Sequence, residues 1–345
     1  MDMSSFIQKM PKIELHAHLN GSLCTKSIRE LCEQLFGVNS NEQTLLSEEL
    51  TNFDGVNLEK CFLKFRFIHD LTATKRGLQL ATELVIRDFA KDNVIYLELR
   101  TTPKRNSEMS KVEYVESVLE AIERAKKYQN IHVNLLLSID RGQSVAEAEE
   151  TVDIALQLQD RHKDLISGID FSGNPKLGNF AHFISVLEKA QQNNLKLALH
   201  CAEIQNPEEI DEMIKLGMER CGHGTFLSDH HLNEIYTKNI AIECCLTSNV
   251  KCSTVESYDD HHFKHIFNAK KSSVVLCTDD CGIFDTTLSN EFVLAKNCFN
   301  LKKNDLQQLS SNAVEHAFTS EIIKNNLRHI IRNYFETQSE LESEI

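Results

Sequence analysis

Two histidines lie one residue apart near the start of the chain, in the segment KIELHAH, as His16 and His18. Residues i and i+2 of a β-strand point to the same side, so both imidazoles could bind one metal ion. An isolated pair of this kind is more commonly two hydrogen-bonded histidines of a core. Here His200 ends the apolar run LKLALH, and Asp279 follows the apolar run SVVLCT. Three histidines and one carboxylate form a ligand set that suits zinc.

A catalytic zinc site keeps one coordination position open to water, and the metal lowers the pKa of that water to about 7. Glu203 lies three residues after His200. At this spacing its carboxyl group could lie beside the metal without binding it and donate a proton to a substrate. The alternative is an exposed acidic residue at a helix start, where the helix dipole favours it.

Two further motifs carry groups that could act beside such a metal. His223 lies between two glycines, which let the backbone pass close to a ligand, and it could orient or deprotonate the water. Asp279 and Asp280 are adjacent carboxylates after a buried run, and they need a cation, a proton or a hydrogen-bond donor to coexist there. The alternative for Asp279 and Asp280 is a solvated turn.

Eight short, apolar and β-branched runs recur along the chain, and each ends in a polar or charged residue. They span 12–18, 94–103, 132–140, 165–173, 195–203, 219–224, 241–249 and 273–280, and the sixth has little apolar content. Segments 112–128, 146–162 and 183–193 have the three- and four-residue spacing of amphipathic helices. Apolar strands alternating with such helices predict a parallel sheet covered by helices.

Eight such units favour a (β/α)8 barrel of the metal-dependent hydrolase type, with extra helices, built as one domain over residues 1–345. An open doubly wound sheet is the structural alternative, but no G-x-G-x-x-G follows the first run. In a barrel the active site lies at the carboxyl ends of the strands. We therefore expect the following residues to converge: His16, His18, Arg100, Asp140, His200, His223, Asn249, Asp279 and Asp280.

The formal net charge is −14, which argues against binding to duplex nucleic acid or to an anionic membrane. A small anionic substrate is compatible with it, because a pocket can be locally positive. The N-terminal residues lack the basic start and apolar run of a signal peptide, and no apolar stretch approaches the ~20 residues of a membrane span. Reduced cysteines in the cytoplasm are the simplest interpretation, and we expect a monomer.

Seven segments taken together resemble the adenosine deaminase family, and more closely its N6-methyl-AMP deaminase branch. They are PKIELHAHLNGSL, YLELRTTPKRN, IDFSGNP, LALHCAEI, GHGTFL, CLTSNVK and CTDDCGIF, in this order between residues 11 and 284. The resemblance implies one zinc ion per chain, with His16, His18, His200 and Asp279 as its ligands. It implies that Glu203 donates a proton to purine N1, that His223 handles the attacking hydroxide and that Asp280 meets purine N7.

The resemblance also implies a substrate, a purine nucleotide whose C6 amine is replaced by oxygen, most simply N6-methyl-AMP giving IMP and methylamine. Substrate contacts are expected at His18, Asn20, His69, Thr101, Thr102, Pro103, Lys104, Asp140, Gly173 and Asp280. No organic cofactor is implied. The H-x-E and P-C-x-x-C signature of the other zinc deaminase design does not occur.

One position departs from the adenosine deaminases proper, which read H-x-H-L-D-G where this chain has Asn20. An aspartate there would repel a phosphate, whereas an asparagine removes the charge and can donate a hydrogen bond. Adenosine deaminase, adenine deaminase and a catalytically inactive ligand-binding barrel are the alternatives. A phosphoesterase on the same barrel would need more than one metal and a bridging lysine at the end of the fourth strand, where GIDFSG stands.

Overall fold

The computed structural model describes residues 2–37, 58–162, 165–271 and 273–343. Eight parallel strands pair in chain order from β1 to β8. Their bounds are β1 (Lys12–His18), β2 (Val94–Thr101), β3 (His132–Asp140), β4 (Ile166–Ser172), β5 (Lys196–Cys201), β6 (Arg220–His223), β7 (Ala241–Cys244) and β8 (Val274–Leu276). A bridge between Ala17 and Asp279 joins the end of the sheet to its beginning. The predicted (β/α)8 barrel is confirmed, and the open sheet is excluded.

Helices surround the barrel and extend its two ends. They are α1 (Met3–Lys9), α2 (Thr25–Phe36), α3 (Leu58–Leu71), α4 (Lys75–Lys91), α5 (Lys111–Ala125), α6 (Val145–Gln159), α7 (Ile184–Gln192), α8 (Pro207–Leu216), α9 (Asp229–Thr237), α10 (Leu246–Lys251), α11 (Phe263–Ala269), α12 (Cys281–Phe284), α13 (Leu288–Phe299), α14 (Lys303–His316) and α15 (Glu321–Ser343). Among the described helices, none combines the length and apolar character that a membrane span requires.

Local sequence explains where several of these helices begin. The three amphipathic segments predicted from their spacing form α5, α6 and α7. Capping boxes start α5 at Ser110 and Glu113, and α6 at Ser144 and Glu147. In each box the serine side chain accepts from the third helical N–H, and the glutamate accepts from the serine N–H. These reciprocal bonds satisfy backbone N–H groups that would otherwise have no partner in the first turn of each helix.

Alternate residues of the strands face opposite sides of the sheet. In β2, Leu97 and Leu99 belong to the buried apolar core, whereas Glu98 and Arg100 form ion pairs with residues of other strands. Ion pairs between non-adjacent strands can form only across the inside of the barrel. The interior beneath the carboxyl ends therefore holds buried charges, and the apolar positions pack outwards against the helices.

The sixth run, which has little apolar content, forms strand β6 as expected. Two boundaries differ from the sequence-based expectation. Asn249 belongs to α10 and does not end a strand, because the apolar run after β7 continues into buried positions of that helix. Asp279 follows β8 by three residues, and its positive φ of 61° ends the extended conformation there.

Candidate active site

Four side chains meet at the carboxyl end of the barrel, where the four predicted metal ligands were expected. One ligand atom from each of His16, His18, His200 and Asp279 lies within 4.8 Å of the others. Nε2 of His200 lies 3.1 Å from Nε2 of His16 and 3.2 Å from Nε2 of His18. Oδ1 of Asp279 lies 3.6 and 3.4 Å from the same two nitrogens. Ligands around a tetrahedral ion with bonds of 2.0–2.1 Å are separated by about 3.3 Å, so this spacing suits one zinc ion.

Hydrogen bonds on the far side of two rings decide where their protons lie. Nδ1 of His16 lies 2.7 Å from Glu243, and Nδ1 of His200 lies 2.8 Å from Asp170. An ionised carboxylate only accepts, so each Nδ1 carries a proton and each Nε2 is the atom directed at the cluster. Burial and the charge of Arg100 hold the pKa of His16 well below its ordinary value, which keeps the ring neutral. Burial opposes protonation of His200, but Asp170 outweighs it and raises the pKa of this ring to about 9. A metal cation bound at Nε2 would displace that proton, so this set of donor atoms fits a metal.

The two carboxylates behind the rings are kept ionised by buried arginines. Burial opposes ionisation of Glu243, but Arg100 and Arg220 outweigh it and lower the pKa of this carboxyl group. Burial likewise opposes ionisation of Asp170, but the hydrogen bond from Nδ1 of His200 and the charge of Arg100 hold the pKa of this carboxyl group well below its ordinary value. Arg100 reaches both carboxylates, at 3.1 Å from Asp170 and 2.6 Å from Glu243. Arg100 thus connects the two carboxylates that hold the rings of His16 and His200.

Sequence reasoning missed Glu243 and Asp170. A signal was present, since each is a carboxylate within an apolar run, in AIECC and ISGIDFS. A charged residue at an inward position of a barrel strand must have a charged or hydrogen-bonding partner across the barrel. The pattern could have identified both residues as interior, although it could not have identified their partners.

Asp279 offers a single oxygen to the cluster. Its Oδ2 accepts a hydrogen bond of 2.7 Å from the hydroxyl of Ser248, and its backbone N–H donates to the carbonyl of His16 at 2.8 Å. These two bonds hold the residue in its left-handed conformation, which is costly for a residue with a Cβ. Ser248, also missed from the sequence, leaves Oδ1 directed at the imidazole nitrogens.

Glu203 and His223 lie beside the cluster, as expected. Oε1 of Glu203 lies 3.8 Å from Nε2 of His223. The ring of His223 is centred 5.0 Å from that of His16 and 5.1 Å from that of His200. His223 is buried and Glu203 is half-buried, so a carboxyl group and an imidazole border the metal position without belonging to the ligand set.

The position of the Asp280 side chain requires a glycine at residue 21, in the segment HLNGS. A Cβ at Gly21 would lie 1.6 Å from Oδ1 of Asp280, so only glycine permits this approach. Burial and the neighbouring charge of Asp279 raise the pKa of Asp280 well above its ordinary value. Among the described residues, Oδ1 of Asp280 and Oδ1 of Asn20 are buried and have no hydrogen-bond partner. Two polar atoms are therefore available to a ligand beside the cluster.

The residues predicted on the nucleotide side form a second group. A Cβ at Gly173, whose φ is +104°, would lie 2.4 Å from Oδ1 of Asp140. Burial lowers the pKa of Lys104 to about 8 against the opposing charge of Asp140. Partial burial and the charge of Lys104 lower the pKa of His69, on α3, to about 4. His69, Lys104, Asp140 and Gly173 are thus electrostatic or steric neighbours.

The remaining predicted contacts lie at the end of β2. The hydroxyl of Thr101 is 2.7 Å from that of Tyr114, so this side chain faces α5. Thr102 is half-buried and Pro103 is buried. Their contacts with a substrate stay predictions.

A closed (β/α)8 barrel with three histidines and an aspartate at its carboxyl end defines the metal-dependent hydrolase class of TIM barrels. The sequence model named adenosine deaminase matches residues 11–334 of this chain. The chain therefore belongs to the adenosine deaminase family, whose members are deaminating enzymes.

Individual relatives match over nearly their whole length. An adenosine deaminase-like protein of Drosophila melanogaster is 48% identical over 333 residues, with 96% of this chain and 98% of the relative covered. The N6-methyl-AMP deaminase of Homo sapiens is 38% identical over 335 residues, covering 94% and 93%. The crystal structure of the Arabidopsis ADAL protein complexed with IMP superposes with a TM-score of 0.87 at 37% identity, covering 96% and 99%.

Proposed function

We propose that this protein is a zinc-dependent hydrolytic deaminase acting on N6 of a purine nucleoside monophosphate, with N6-methyl-AMP as preferred substrate and IMP and methylamine as products. The observation that carries the proposal is the convergence of three imidazole nitrogens and one carboxylate oxygen on one point, with Glu203 and His223 beside it. The names of the human relative and the IMP complex of the Arabidopsis relative support a nucleotide substrate.

The metal would be held, one ion per chain, by His16, His18, His200 and Asp279. When bound, zinc supplies the Lewis acidity that makes water a nucleophile at neutral pH. The donor set supports this choice, because neutral imidazoles and a carboxylate suit zinc.

The residues around the metal position then have separate roles in catalysis and in substrate binding. Glu203 donates a proton to purine N1, which lowers the cost of breaking aromaticity when oxygen adds to C6. His223 holds the attacking oxygen, and Asp280 orients it and meets purine N7. His18 borders the substrate as well as binding metal, and the backbone of Gly173 contacts the base. The C6–N bond breaks as the amine takes up one proton of the attacking water, the other proton of that water restores Glu203, and the 6-oxo purine is left.

The phosphate would lie near Asn20 and Lys104, with His69, Thr101, Thr102, Pro103 and Asp140 as further contacts. Asn20 has a buried oxygen without a described partner, so its amide is free to orient its N–H₂ towards an anion. An aspartate in its place would repel a phosphate by about 1–4 kcal/mol at ~4 Å. Lys104, half-buried among polar neighbours, supplies the opposite charge.

The test compares kcat/KM for N6-methyl-AMP, AMP, N6-methyladenosine and adenosine, in the natural protein and in Asn20→Asp, with zinc measured by elemental analysis. We expect N6-methyl-AMP to be best. The variant should lose about 5- to 10³-fold on the nucleotides, the kinetic equivalent of 1–4 kcal/mol, and lose nothing on the nucleosides. A natural enzyme that prefers adenosine would refute the phosphate assignment, and two metals per chain would refute the mechanism.

We further propose that residues 1–345 form one domain that acts as a cytoplasmic monomer without nucleic-acid or membrane partners. A continuous apolar core running from Phe6 to Phe335 supports the single domain. The net charge of −14 supports the absence of polyanionic partners.

A further inference from the structure

Two histidines that the sequence analysis passed over lie directly behind His223. His261 and His262 precede α11, and their rings stack at 4.1 Å between centroids with an angle of 25° between planes. Both approach His223, one through Asn249 and the other directly at its carbonyl. This cluster touches the side chain and the backbone of a residue that the proposed mechanism uses.

The position of each proton in the cluster follows from one backbone group. The N–H of Phe263 donates to Nδ1 of His261 at 3.0 Å. A backbone amide has only a proton to offer, so Nδ1 of His261 is a lone pair. Burial lowers the pKa of this histidine to about 2, so the ring is neutral and its proton lies on Nε2.

The next link is the side chain of Asn249. Nε2 of His261 lies 3.1 Å from Oδ1 of Asn249, which must accept because the nitrogen carries the proton. The amide orientation is thereby fixed, and Nδ2 lies 3.3 Å from Nδ1 of His223. Nδ2 also has the hydroxyl oxygens of Thr254 and Thr225 at 3.2 and 3.4 Å. The hydroxyl of Thr254 donates its own proton to the carbonyl of Asn249, so its oxygen accepts a hydrogen bond from Nδ2.

An amide nitrogen cannot accept a hydrogen bond, so a proton on Nδ1 of His223 would face the N–H₂ group of Asn249 without an acceptor. Nδ1 of His223 is therefore the lone pair, and the proton lies on Nε2, the atom 3.8 Å from Glu203. The second histidine acts on the backbone. Nε2 of His262 lies 2.8 Å from the carbonyl of His223, whose φ of 64° is a left-handed conformation that needs such support.

We propose that Asn249 and His261 are positioning residues that hold His223 as the Nε2–H tautomer, and that His262 holds the backbone that aims it. Nε2 of His223 then offers a proton to the attacking oxygen and has no lone pair with which to remove one, because the lone pair of the ring lies on Nδ1, facing Asn249. This statement rests on the proposed function for the role of His223, but the tautomer itself is a property of the protein without substrate.

The first experiment measures the tautomer directly, by ¹⁵N NMR of zinc-loaded protein carrying ¹⁵N-labelled histidine, with His223→Gln to assign the signals. We expect Nδ1 of His223 to have the shift of an unprotonated nitrogen and Nε2 that of an N–H. In Asn249→Asp, a carboxylate accepts from both neighbours, so Nδ1 of His223 should gain a proton. A protonated Nδ1 in the natural protein would overturn the inference even if the enzyme deaminates nucleotides.

The second experiment uses a matched pair at His261. Glutamine can place an N–H near the position of Nε2 and keep the bond to Asn249, whereas asparagine can keep only the acceptor for the N–H of Phe263. We expect His261→Gln to retain kcat within a few-fold, and His261→Asn to lose about 10²- to 10³-fold in kcat, with KM and zinc content unchanged in both.

If His261 served only to cap the start of α11, His261→Asn would keep a higher kcat than His261→Gln. That order of kcat values would overturn the inference. Absence of deaminase activity in the natural protein would remove the proposed function and leave the NMR result standing, so the two failures are distinguishable.

Discussion

Replacing Glu243 with glutamine exchanges a carboxylate for an amide of the same shape at the centre of the barrel. The carboxylate accepts from Nδ1 of His16 at 2.7 Å, from Arg100 at 2.6 Å and from Nε of Arg220 at 2.5 Å. An amide cannot satisfy all three donors, because it has one accepting oxygen. If its nitrogen faces His16, the imidazole proton must move to Nε2, the atom expected to bind metal. If its nitrogen faces the arginines, donor meets donor.

The loss of stability in Glu243→Gln depends on which hydrogen bonds Arg100 and Arg220 retain. Breaking a buried ion pair from one side typically costs about 3–5 kcal/mol. Arg100 retains Asp170 at 3.1 Å and the carbonyl of Leu15 at 2.9 Å, and Arg220 retains Glu98. We therefore expect a loss near the lower limit, about 3 kcal/mol, in the free energy of unfolding. Zinc affinity should fall by about 10- to 100-fold, because a histidine ligand loses its orienting carboxylate.

The assay is a zinc competition titration, paired with denaturant unfolding of the metal-free protein. Glu209→Gln is the matched control, since it breaks an Arg141 ion pair with contacts of 2.9 and 2.7 Å that touches no predicted ligand. The control should leave zinc affinity unchanged. If Glu243→Gln binds zinc as tightly as the natural protein, then the hydrogen bond to His16 does not set its tautomer, and the reasoning is wrong.

Three further predictions concern the same site. Glu203→Gln should keep its zinc and lose at least ~10²–10⁴-fold in kcat, because an amide cannot donate the required proton; activity within a few-fold of the natural enzyme would assign Glu203 another role. His200→Ala should lose metal and stability together, so full zinc occupancy by elemental analysis would refute its assignment as a ligand. The pKa of Lys104 is lowered to about 8 by burial, so its ammonium form is lost above that pH. kcat/KM for nucleotides should then fall by roughly tenfold per pH unit, whereas Lys104→Arg, which stays charged, and nucleoside substrates should show no such fall.

Much of the architecture could be predicted from local sequence. The alternation of apolar runs with amphipathic segments predicts a barrel because strand and helix periods are local properties of the chain. All eight runs start within a residue of the observed strands, and their polar residues lie at or just beyond the carboxyl ends of those strands. Errors arose where an apolar run crosses from strand into helix, as after β7, because burial does not distinguish the two.

The candidate ligands could also be predicted from the sequence, since His16, His18, His200 and Asp279 belong to motifs specific to the family. The residues that orient these side chains could not be predicted in this way. His16 and Glu243 are 227 residues apart, and nothing near either residue encodes which strands face each other across a closed barrel. The same holds for the cluster behind His223, where a backbone N–H after His261 fixes a proton across Asn249. The residue types that could do chemistry are local information. The placement of protons and lone pairs depends on contacts between distant segments, and these exist only once the barrel has closed.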